Sequence, residues 1–231
     1  MPSVEEHICH NLQVVKQRIA RAAEISGRTA ADVRLVAVTK YAPWEAVTAL
    51  SRRGVLNFGE SRPQQLCERH ALFDDSVCWH MIGHLQRNKV RRTLECAEYI
   101  HSIDSLRLLA AVDRIAQELN ITPKLFLEVN ISGETAKDGF TPQEIQEHWH
   151  AFEQFPHVHI VGLMTMAPFS ETPEVARPYF KQLRGLRDQL QDNGEITLPE
   201  LSMGMSRDFE IAIEEGATTI RVGSSLFEGL K

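Results

Sequence analysis

The stretch Leu35-Val36-Ala37-Val38-Thr39-Lys40-Tyr41-Ala42-Pro43 joins a buried-strand pattern to a lysine and a turn. Its first four residues are apolar without a break, which is typical of a strand covered on both faces. Pro43 favours a turn and then a helix, because the residue before a proline avoids the helical region and proline suits a helix's first turn. The stretch therefore predicts a strand that brings Lys40 to the rim of a sheet or barrel. A surface lysine with its stem on apolar neighbours gives the same local pattern, so the rest of the chain must decide its role.

The strand pattern of this first stretch recurs along the whole chain. We predict eight strands: Arg34–Thr39, Val55–Phe58, Val77–Ile82, Tyr99–Ile103, Lys124–Val129, His159–Met164, Glu200–Met203 and Thr219–Val222. Helical patterns lie between them, at Trp44–Arg53, Arg62–Leu72, Leu106–Leu119, Pro142–Phe155, Glu174–Gln191 and Ser206–Glu215. Alternation of strands and helices indicates parallel pairing, and eight strands close a barrel. The predicted fold is a (β/α)8 TIM barrel of the α/β class.

The barrel is predicted to be one domain over residues 1–231, with an extra helix in residues 1–27 packed on it. No low-complexity segment or linker divides the sequence. A doubly wound open sheet is the alternative architecture. Its dinucleotide-binding form is disfavoured, because no Gly-x-Gly-x-x-Gly follows the first strand.

Composition limits the classes of function. The chain has 231 residues, 43% of them hydrophobic and 24% charged, and a net charge of −6. The negative charge argues against nucleic-acid binding, and no apolar run approaches the roughly 20 residues of a membrane span. The four cysteines show no framework spacing and are expected to be reduced thiols. We therefore expect a cytoplasmic protein with no nucleic-acid or membrane partner.

The ends of the last two predicted strands resemble a site for a phosphate group. Gly204 and Gly223 allow close approach of the backbone. Ser206 and Ser224 supply hydroxyls at predicted helix starts, where N–H groups favour an anion. Two ordinary helix caps would have the same residues. In TIM barrels, however, phosphate often binds after strands seven and eight.

Barrel closure places the eighth strand beside the first, so Lys40 is predicted to face this phosphate corner. Lys40 would then be a counter-charge, or it would form a Schiff base with a phosphorylated aldehyde such as pyridoxal phosphate (PLP). Arg221 is the candidate partner of the pyridine nitrogen, and a salt bridge to Glu128 is the alternative role. No metal site is predicted, because Cys78, His80 and His84 lack a fourth ligand.

A series of motifs in chain order resembles one known family. The stretches are Val36-Ala37-Val38-Thr39-Lys40, Phe58-Gly59-Glu60, Trp79-His80-Met81-Ile82-Gly83-His84-Leu85-Gln86-Arg87-Asn88-Lys89, Asn130-Ile131-Ser132-Gly133-Glu134, Gly162-Leu163-Met164-Thr165, Leu201-Ser202-Met203-Gly204-Met205-Ser206 and Arg221-Val222-Gly223-Ser224. They closely resemble the pyridoxal phosphate homeostasis protein family, whose barrel is like the N-terminal domain of alanine racemase. The motifs span nearly the whole chain, so the resemblance is specific.

The resemblance implies a set of cofactor-binding residues. It implies that PLP is bound covalently on Lys40, that Ser206, Gly223 and Ser224 hold the phosphate, and that Met203 and Arg221 flank the ring. We also expect His80 to pack or hydrogen-bond beneath the cofactor. Ser61 stands where the family usually has Asn, and Arg207 stands where it usually has an acidic residue.

The resemblance also implies a function. The expected role is PLP and amino-acid homeostasis without established catalysis, with PLP-dependent apoenzymes as recipients of the cofactor. A PLP-dependent amino-acid racemase is the alternative, and it would need a second base, for which Tyr41 and His80 are candidates. We expect a monomer. Lys137 is expected to be an ordinary surface lysine.

Overall fold

The structure is a computed structural model that describes residues 3–74, 76–134, 138–192 and 196–230. Lys137 lies outside these residues, so its predicted surface position stays a prediction. No helix in the described part of the chain is both long and apolar enough to cross a membrane.

Parallel strands form a closed barrel in which each strand pairs with the next along the chain and the last pairs with the first. The strands are β1 Arg34–Val38, β2 Asn57–Glu60, β3 Cys78–Met81, β4 Tyr99–Ile103, β5 Lys124–Glu128, β6 His159–Met164, β7 Glu200–Met205 and β8 Thr219–Val222. In the closing pair, Val36 is opposite Arg221 and Ala37 is opposite Val222. The predicted TIM barrel is therefore confirmed.

Helices surround this barrel. They are α1 Val4–Ile25, α2 Trp44–Arg52, α3 Pro63–His70, α4 Val90–Leu94, α5 Leu106–Leu119, α6 Pro142–Glu147, α7 Trp149–Phe152, α8 Arg177–Asp192 and α9 Phe209–Glu214. The helix predicted over Pro142–Phe155 is in fact two, because His148 leaves helical geometry with φ −101°. The helix predicted from Ser206 begins only at Phe209.

The first helix packs on α2 and α9. It begins with a capping box, in which the Ser3 hydroxyl accepts from the N–H of Glu6 and the Glu6 carboxylate accepts from the N–H of Ser3. Its buried face includes Ile8, Leu12 and Ile19. That face joins the hydrophobic core that runs between the strands and the helices.

The cysteines differ from the prediction. Cys67 of α3 and Cys96 after α4 form a disulfide, so the expectation of four reduced thiols is wrong for this pair. The two residues belong to neighbouring strand–helix units, which brings their Cα atoms to 5.4 Å. Sequence spacing gave no sign of this contact. Cys9 and Cys78 are free thiols.

The inside of the barrel is only partly apolar. A small apolar cluster there comprises Tyr99, Phe126, Val161 and Met164. Buried polar side chains, among them His80 and His101, accompany it. Because buried polar groups are stable only when hydrogen-bonded, this interior requires a hydrogen-bond network.

Candidate functional site

A cavity of about 990 Å³ opens at the carboxyl ends of the strands. Six of the predicted site residues line it: Lys40, Ser61, Ser206, Arg221, Gly223 and Ser224. His80 and Met203 are fully buried elsewhere. The lysine after the first strand and the two glycine–serine corners thus border one space. Their roles as cofactor ligands stay predictions.

Lys40 lies in the turn that follows β1. The backbone on either side is fixed: the N–H of Thr39 donates to the Gly59 carbonyl at 3.0 Å, and the Lys40 carbonyl accepts from Gln65 Nε2 at 3.1 Å. Its side chain lies against the cavity, with Nζ 5.2 Å from the centroid of the Tyr41 ring. A fixed backbone with the amine at the cavity wall suits a lysine that binds a ligand.

A buried carboxyl group lies behind this turn. Glu60 is fully buried, and its Oε1 accepts from the Thr39 hydroxyl at 2.5 Å and pairs with Arg69 Nη1 at 3.1 Å. Burial raises the pKa of Glu60, and the hydrogen bond from Thr39 and the charges of Arg69 and Lys40 oppose that rise. Arg69 also donates to the Ala42 carbonyl at 2.9 Å. The sequence alone indicated no role for Glu60. In the structure, its contacts with Thr39 and Arg69 stabilise the turn that carries Lys40.

The glycine–serine corner presents two converging N–H groups. The backbone N–H groups of Gly223 and Ser225 donate to the Ser206 hydroxyl oxygen at 3.1 and 3.3 Å. Gly204 has φ +92°, and a Cβ on it would meet Ala212 Cβ at 2.5 Å, so only glycine fits. Ser206 was expected at a helix start, but α9 begins three residues later. The corner depends on the turns after β7 and β8 rather than on a helix cap.

Aromatic and basic side chains form the rim near this corner. Arg207 lies with its guanidinium carbon 4.5 Å from the centroid of the Phe169 ring, and both residues line the cavity. Tyr41 and Phe169 are 84% and 79% exposed. Arg207, which stands where the family usually has an acidic residue, therefore adds positive charge at the rim.

Arg221 is buried at the bottom of the cavity. It is 4% exposed, and it donates to the Ser202 hydroxyl at 2.6 Å and to the Thr165 carbonyl at 3.0 Å. Burial lowers its pKa to about 10, while the charges of Glu128 and Asp208 oppose that fall, so the guanidinium stays charged at neutral pH. Among the described residues no ion pair joins it to Glu128, so the salt bridge considered as its alternative role is not formed.

The hydrogen bonds of Arg221 continue across the barrel. Ser202 Oγ is 2.8 Å from His101 Nδ1, His101 Nε2 is 2.9 Å from His80 Nδ1, and His80 Nε2 is 3.1 Å from Asn57 Oδ1. Burial lowers the pKa of both histidines well below the ordinary range, so both rings are neutral. Asn57 Oδ1 can only accept and each neutral ring has one N–H, which fixes the direction: His80 donates to Asn57, His101 donates to His80, and Ser202 donates to His101.

This chain of hydrogen bonds leads to His80, whose expected role beneath the cofactor stays a prediction. The residue is one of the inward side chains of β3, and its ring stacks on Tyr99 with centroids 4.5 Å apart. It lies deeper than the cavity, whose wall on this side begins at Ile82. Among the described residues, hydrogen bonds connect His80 to the site through His101 and Ser202.

Met203 also differs from its expected position. Successive residues of a strand point to opposite faces, and Ser202 points inward to Arg221. Met203 consequently points outward into the hydrophobic core, where it is fully buried. The methionine of this motif that lines the cavity is Met205.

Ser61 lines the cavity beside a closely packed glycine. A Cβ on Gly83 would lie 2.4 Å from the Ser61 carbonyl oxygen and 2.8 Å from its Cα. The backbone after β2 and the backbone after β3 therefore touch here. This contact fixes the wall on which Ser61 lies, and only glycine permits it.

The opposite wall of the cavity carries acidic groups. Glu128 ends β5, is 9% exposed and lines the cavity with His84 and Asp138. Burial raises the pKa of Glu128 to about 7, and the charge of Arg221 opposes that rise. Sequence reasoning treated Glu128 only as a partner for Arg221 and treated His84 as an incomplete metal ligand.

Comparisons with known proteins identify the family. A family model for the N-terminal domain of alanine racemase matches residues 5–230. The pyridoxal phosphate homeostasis protein of Aquifex aeolicus (strain VF5) is 41% identical over 220 residues, which are 95% of this chain and 96% of that protein. The chain belongs to the pyridoxal phosphate homeostasis protein family. The resemblance found in the sequence motifs is confirmed.

Solved structures agree with this family assignment. PipY of Synechococcus elongatus PCC7942, with PLP bound, superposes with a TM-score of 0.80 at 37% identity and covers 90% of this chain and 99% of that chain. Alanine racemase of Clostridium difficile 630 has a TM-score of 0.74 at 15% identity, covering 96% of this chain and 56% of that chain. At that identity the likeness to the racemase shows the fold alone.

Proposed function

We propose that this member of the pyridoxal phosphate homeostasis protein family binds PLP covalently on Lys40 and takes part in PLP and amino-acid homeostasis without catalysing a reaction. The observation that carries the proposal is that Lys40, Arg221 and the glycine–serine corner border one cavity. This corner is formed by Ser206 and Gly223 and is called the Ser206–Gly223 corner. The relative PipY, whose solved structure contains PLP, supports the choice of ligand.

The Ser206–Gly223 corner fits a phosphate group. Two backbone N–H groups already converge on one oxygen, the hydroxyl oxygen of Ser206. A phosphate oxygen is a stronger acceptor for the same donors, and hydrogen bonds to charged groups are worth about 1.5–3 kcal/mol each. The hydroxyls of Ser206 and Ser224 would add to them. Arg207 at the rim would supply further positive charge.

The proposed ring partner would account for the lack of catalysis that we propose. PLP supplies an aldehyde and an electron-withdrawing pyridine ring. Arg221 remains charged and is held by Ser202 and Thr165 through two of its five N–H donors. A fixed cation facing the pyridine nitrogen would keep that nitrogen unprotonated, which weakens the ring as an acceptor of electrons. Such a site favours holding the cofactor over carbanion chemistry.

The racemase alternative requires a second base across the ligand from Lys40. His80, one candidate, does not line the cavity. Tyr41, the other candidate, directly follows Lys40 and lies against its amine, so it is on the same side of the cavity. We expect no racemisation or transamination in assays over a broad set of amino acids, and robust turnover would refute the non-catalytic proposal.

An absorbance titration tests cofactor binding. Cofactor-free protein titrated with PLP should develop the visible band of lysine-bound PLP with one equivalent per chain. Lys40→Ala should abolish that band and keep the circular dichroism spectrum, since Lys40 is a rim residue. Lys181→Ala, which changes an exposed lysine on α8, is the matched control and should behave as wild type. An unchanged band in Lys40→Ala would contradict the proposal.

We propose a cytoplasmic monomer that exchanges PLP with PLP-dependent apoenzymes. A disulfide such as Cys67–Cys96 is unusual in a reducing compartment, so the location is tested directly by fractionating cells. Recovery of the protein in the cytoplasmic fraction would support the proposal, and recovery outside it would contradict it. Sedimentation equilibrium tests the monomer, and transfer of PLP to an apoenzyme tests the partner.

A further inference from the structure

We propose that the acidic wall of the cavity is a binding site for a divalent transition-metal ion, with His84, Asp104 and Asp138 as ligands and Glu128 as the adjoining buried carboxylate. This site is separate from the Ser206–Gly223 corner. The proposal does not depend on PLP binding, because it concerns a different ligand and different side chains.

The barrel brings these side chains to one place. His84 follows β3, Asp104 directly follows β4, and Glu128 ends β5, so the residues come from the ends of three adjacent strands. Asp138 is held near them because Phe140 donates its N–H to the Glu128 carbonyl at 2.8 Å. Carboxyl ends of strands are the usual location of functional groups in this fold.

The distances within the cluster suit ligands of a single ion. His84 Nδ1 is 3.2 Å from Asp104 Oδ2 and 3.3 Å from Asp138 Oδ2, and the three donor atoms lie within 4.8 Å of one another. Ion–ligand distances of about 2.0–2.3 Å place ligands at right angles about 3 Å apart. The two separations from His84 match this geometry.

Glu128 gives an independent indication of a cation. It is nine-tenths buried and lines the same cavity, and its carboxyl oxygens have no hydrogen-bond donor within the described ranges. It interacts electrostatically with Asp104, Asp138 and His84. Its other neighbour in charge is Arg221, which forms no hydrogen bond or ion pair with it in the described part of the chain. A buried carboxylate without a donor is costly, and an ion beside it would remove that cost.

A plain ion pair between His84 and the two aspartates would explain only part of this arrangement. One imidazole side chain carries at most one positive charge against the two aspartates, and Glu128 stays without a donor in that case. The Ser105 hydroxyl donates to Asp104 Oδ1 at 2.8 Å, which leaves Oδ2 directed to the cluster. Hydrogen-bonded ligands of this kind are typical of metal sites.

The donor set indicates the class of ion. Mg²⁺ and Ca²⁺ take mainly oxygen ligands, whereas an imidazole nitrogen with carboxylates suits Mn²⁺ or Zn²⁺. We therefore expect Mn²⁺ to bind at one site per chain, and Mg²⁺ or Ca²⁺ at the same concentration to displace it poorly.

Calorimetry and electron paramagnetic resonance with MnCl₂ on cofactor-free protein test the site. His84→Asn is the main variant, because its side chain is 54% exposed and the fold should be unaffected. We expect His84→Asn and Asp104→Asn each to weaken Mn²⁺ binding at least tenfold, and Glu128→Gln to weaken it about tenfold. Melting curves in EDTA check the folding of each variant.

His150→Asn is the matched control. His150 Nδ1 pairs with Glu153 at 3.7 Å on the surface, away from any such cluster, so Mn²⁺ binding should be unchanged. No saturable binding to the wild type would overturn the proposal. Equal affinity in His84→Asn and wild type would also overturn it, as would full displacement by Ca²⁺, which would show that the nitrogen ligand has no part.

Discussion

The hydroxyl of Ser202 joins a buried cation to a buried histidine, and its removal should be costly. In Ser202→Ala, Arg221 loses a hydrogen bond of 2.6 Å and His101 Nδ1 loses its donor at 2.8 Å. A hydrogen bond to a charged group contributes about 1.5–3 kcal/mol, and a buried group left unpaired costs about 1–3 kcal/mol. We expect the free energy of unfolding to fall by between about 3 and 5 kcal/mol. For a chain of this size the melting temperature would fall by about 10 °C.

Urea denaturation of cofactor-free protein, followed by circular dichroism, measures this effect without a contribution from ligand binding. Ser102→Ala is the matched control, because its hydroxyl donates to the neutral Gly83 carbonyl at 2.6 Å. The control should lose about 1 kcal/mol. If Ser202→Ala loses no more than the control, the hydrogen-bond chain does not hold Arg221 as described. Cofactor affinity should fall more in Ser202→Ala than in Ser102→Ala, because only the former releases the guanidinium.

Three further substitutions test other parts of the structure. Gly83→Ala should lower the melting temperature and weaken PLP binding, because its Cβ would lie 2.4 Å from a backbone oxygen; a wild-type melting curve would contradict this. Cys67→Ser should lower the free energy of unfolding of oxidised protein by about 3–4 kcal/mol, since the disulfide closes a loop with a sequence separation of 29. Cys9→Ser, a free thiol, is its control and should have little effect. Burial raises the pKa of Glu60 above its ordinary 4.5, so stability should fall as pH rises through the raised pKa; Glu60→Gln should flatten that fall, and an unchanged slope would refute the assignment.

The barrel could be predicted from the sequence because each strand is a local apolar cluster between amphipathic segments. Tyr99–Ile103, His159–Met164 and Thr219–Val222 have the predicted bounds. β2 does not: it was predicted at Val55–Phe58 and lies at Asn57–Glu60. Gly59 followed by Glu60 is not a typical strand pattern. In the structure these two residues are buried because they pair with neighbouring strands and because Thr39 and Arg69 contact the Glu60 carboxyl group.

The residues at the strand ends were also predictable, because position in a barrel follows from strand order. Six of the eight expected site residues line one cavity. The other two, His80 and Met203, do not. Whether Met203 faces the core or the cavity depends on strand register, which a single motif does not define. The side chain of His80 points into the barrel, but it lies deeper than the cavity. This depth depends on the stagger between strands, which the sequence does not show.

Contacts between separate strand–helix units were not accessible from sequence. Two such contacts are the packing of Arg69 beneath the Lys40 turn and the Cys67–Cys96 disulfide. Each joins residues that belong to no common sequence pattern. The hydrogen-bond chain from Arg221 to Asn57 crosses the barrel through residues of five different strands. Such contacts follow only once the barrel has closed.

Borohydride reduction of PLP-loaded protein, followed by peptide mass analysis, tests the central claim most directly. Reduction makes a lysine-bound cofactor permanent, so the modified lysine can be identified. We expect one adduct per chain, on the peptide that contains Lys40. An adduct on a different lysine, or no adduct at all, would contradict it.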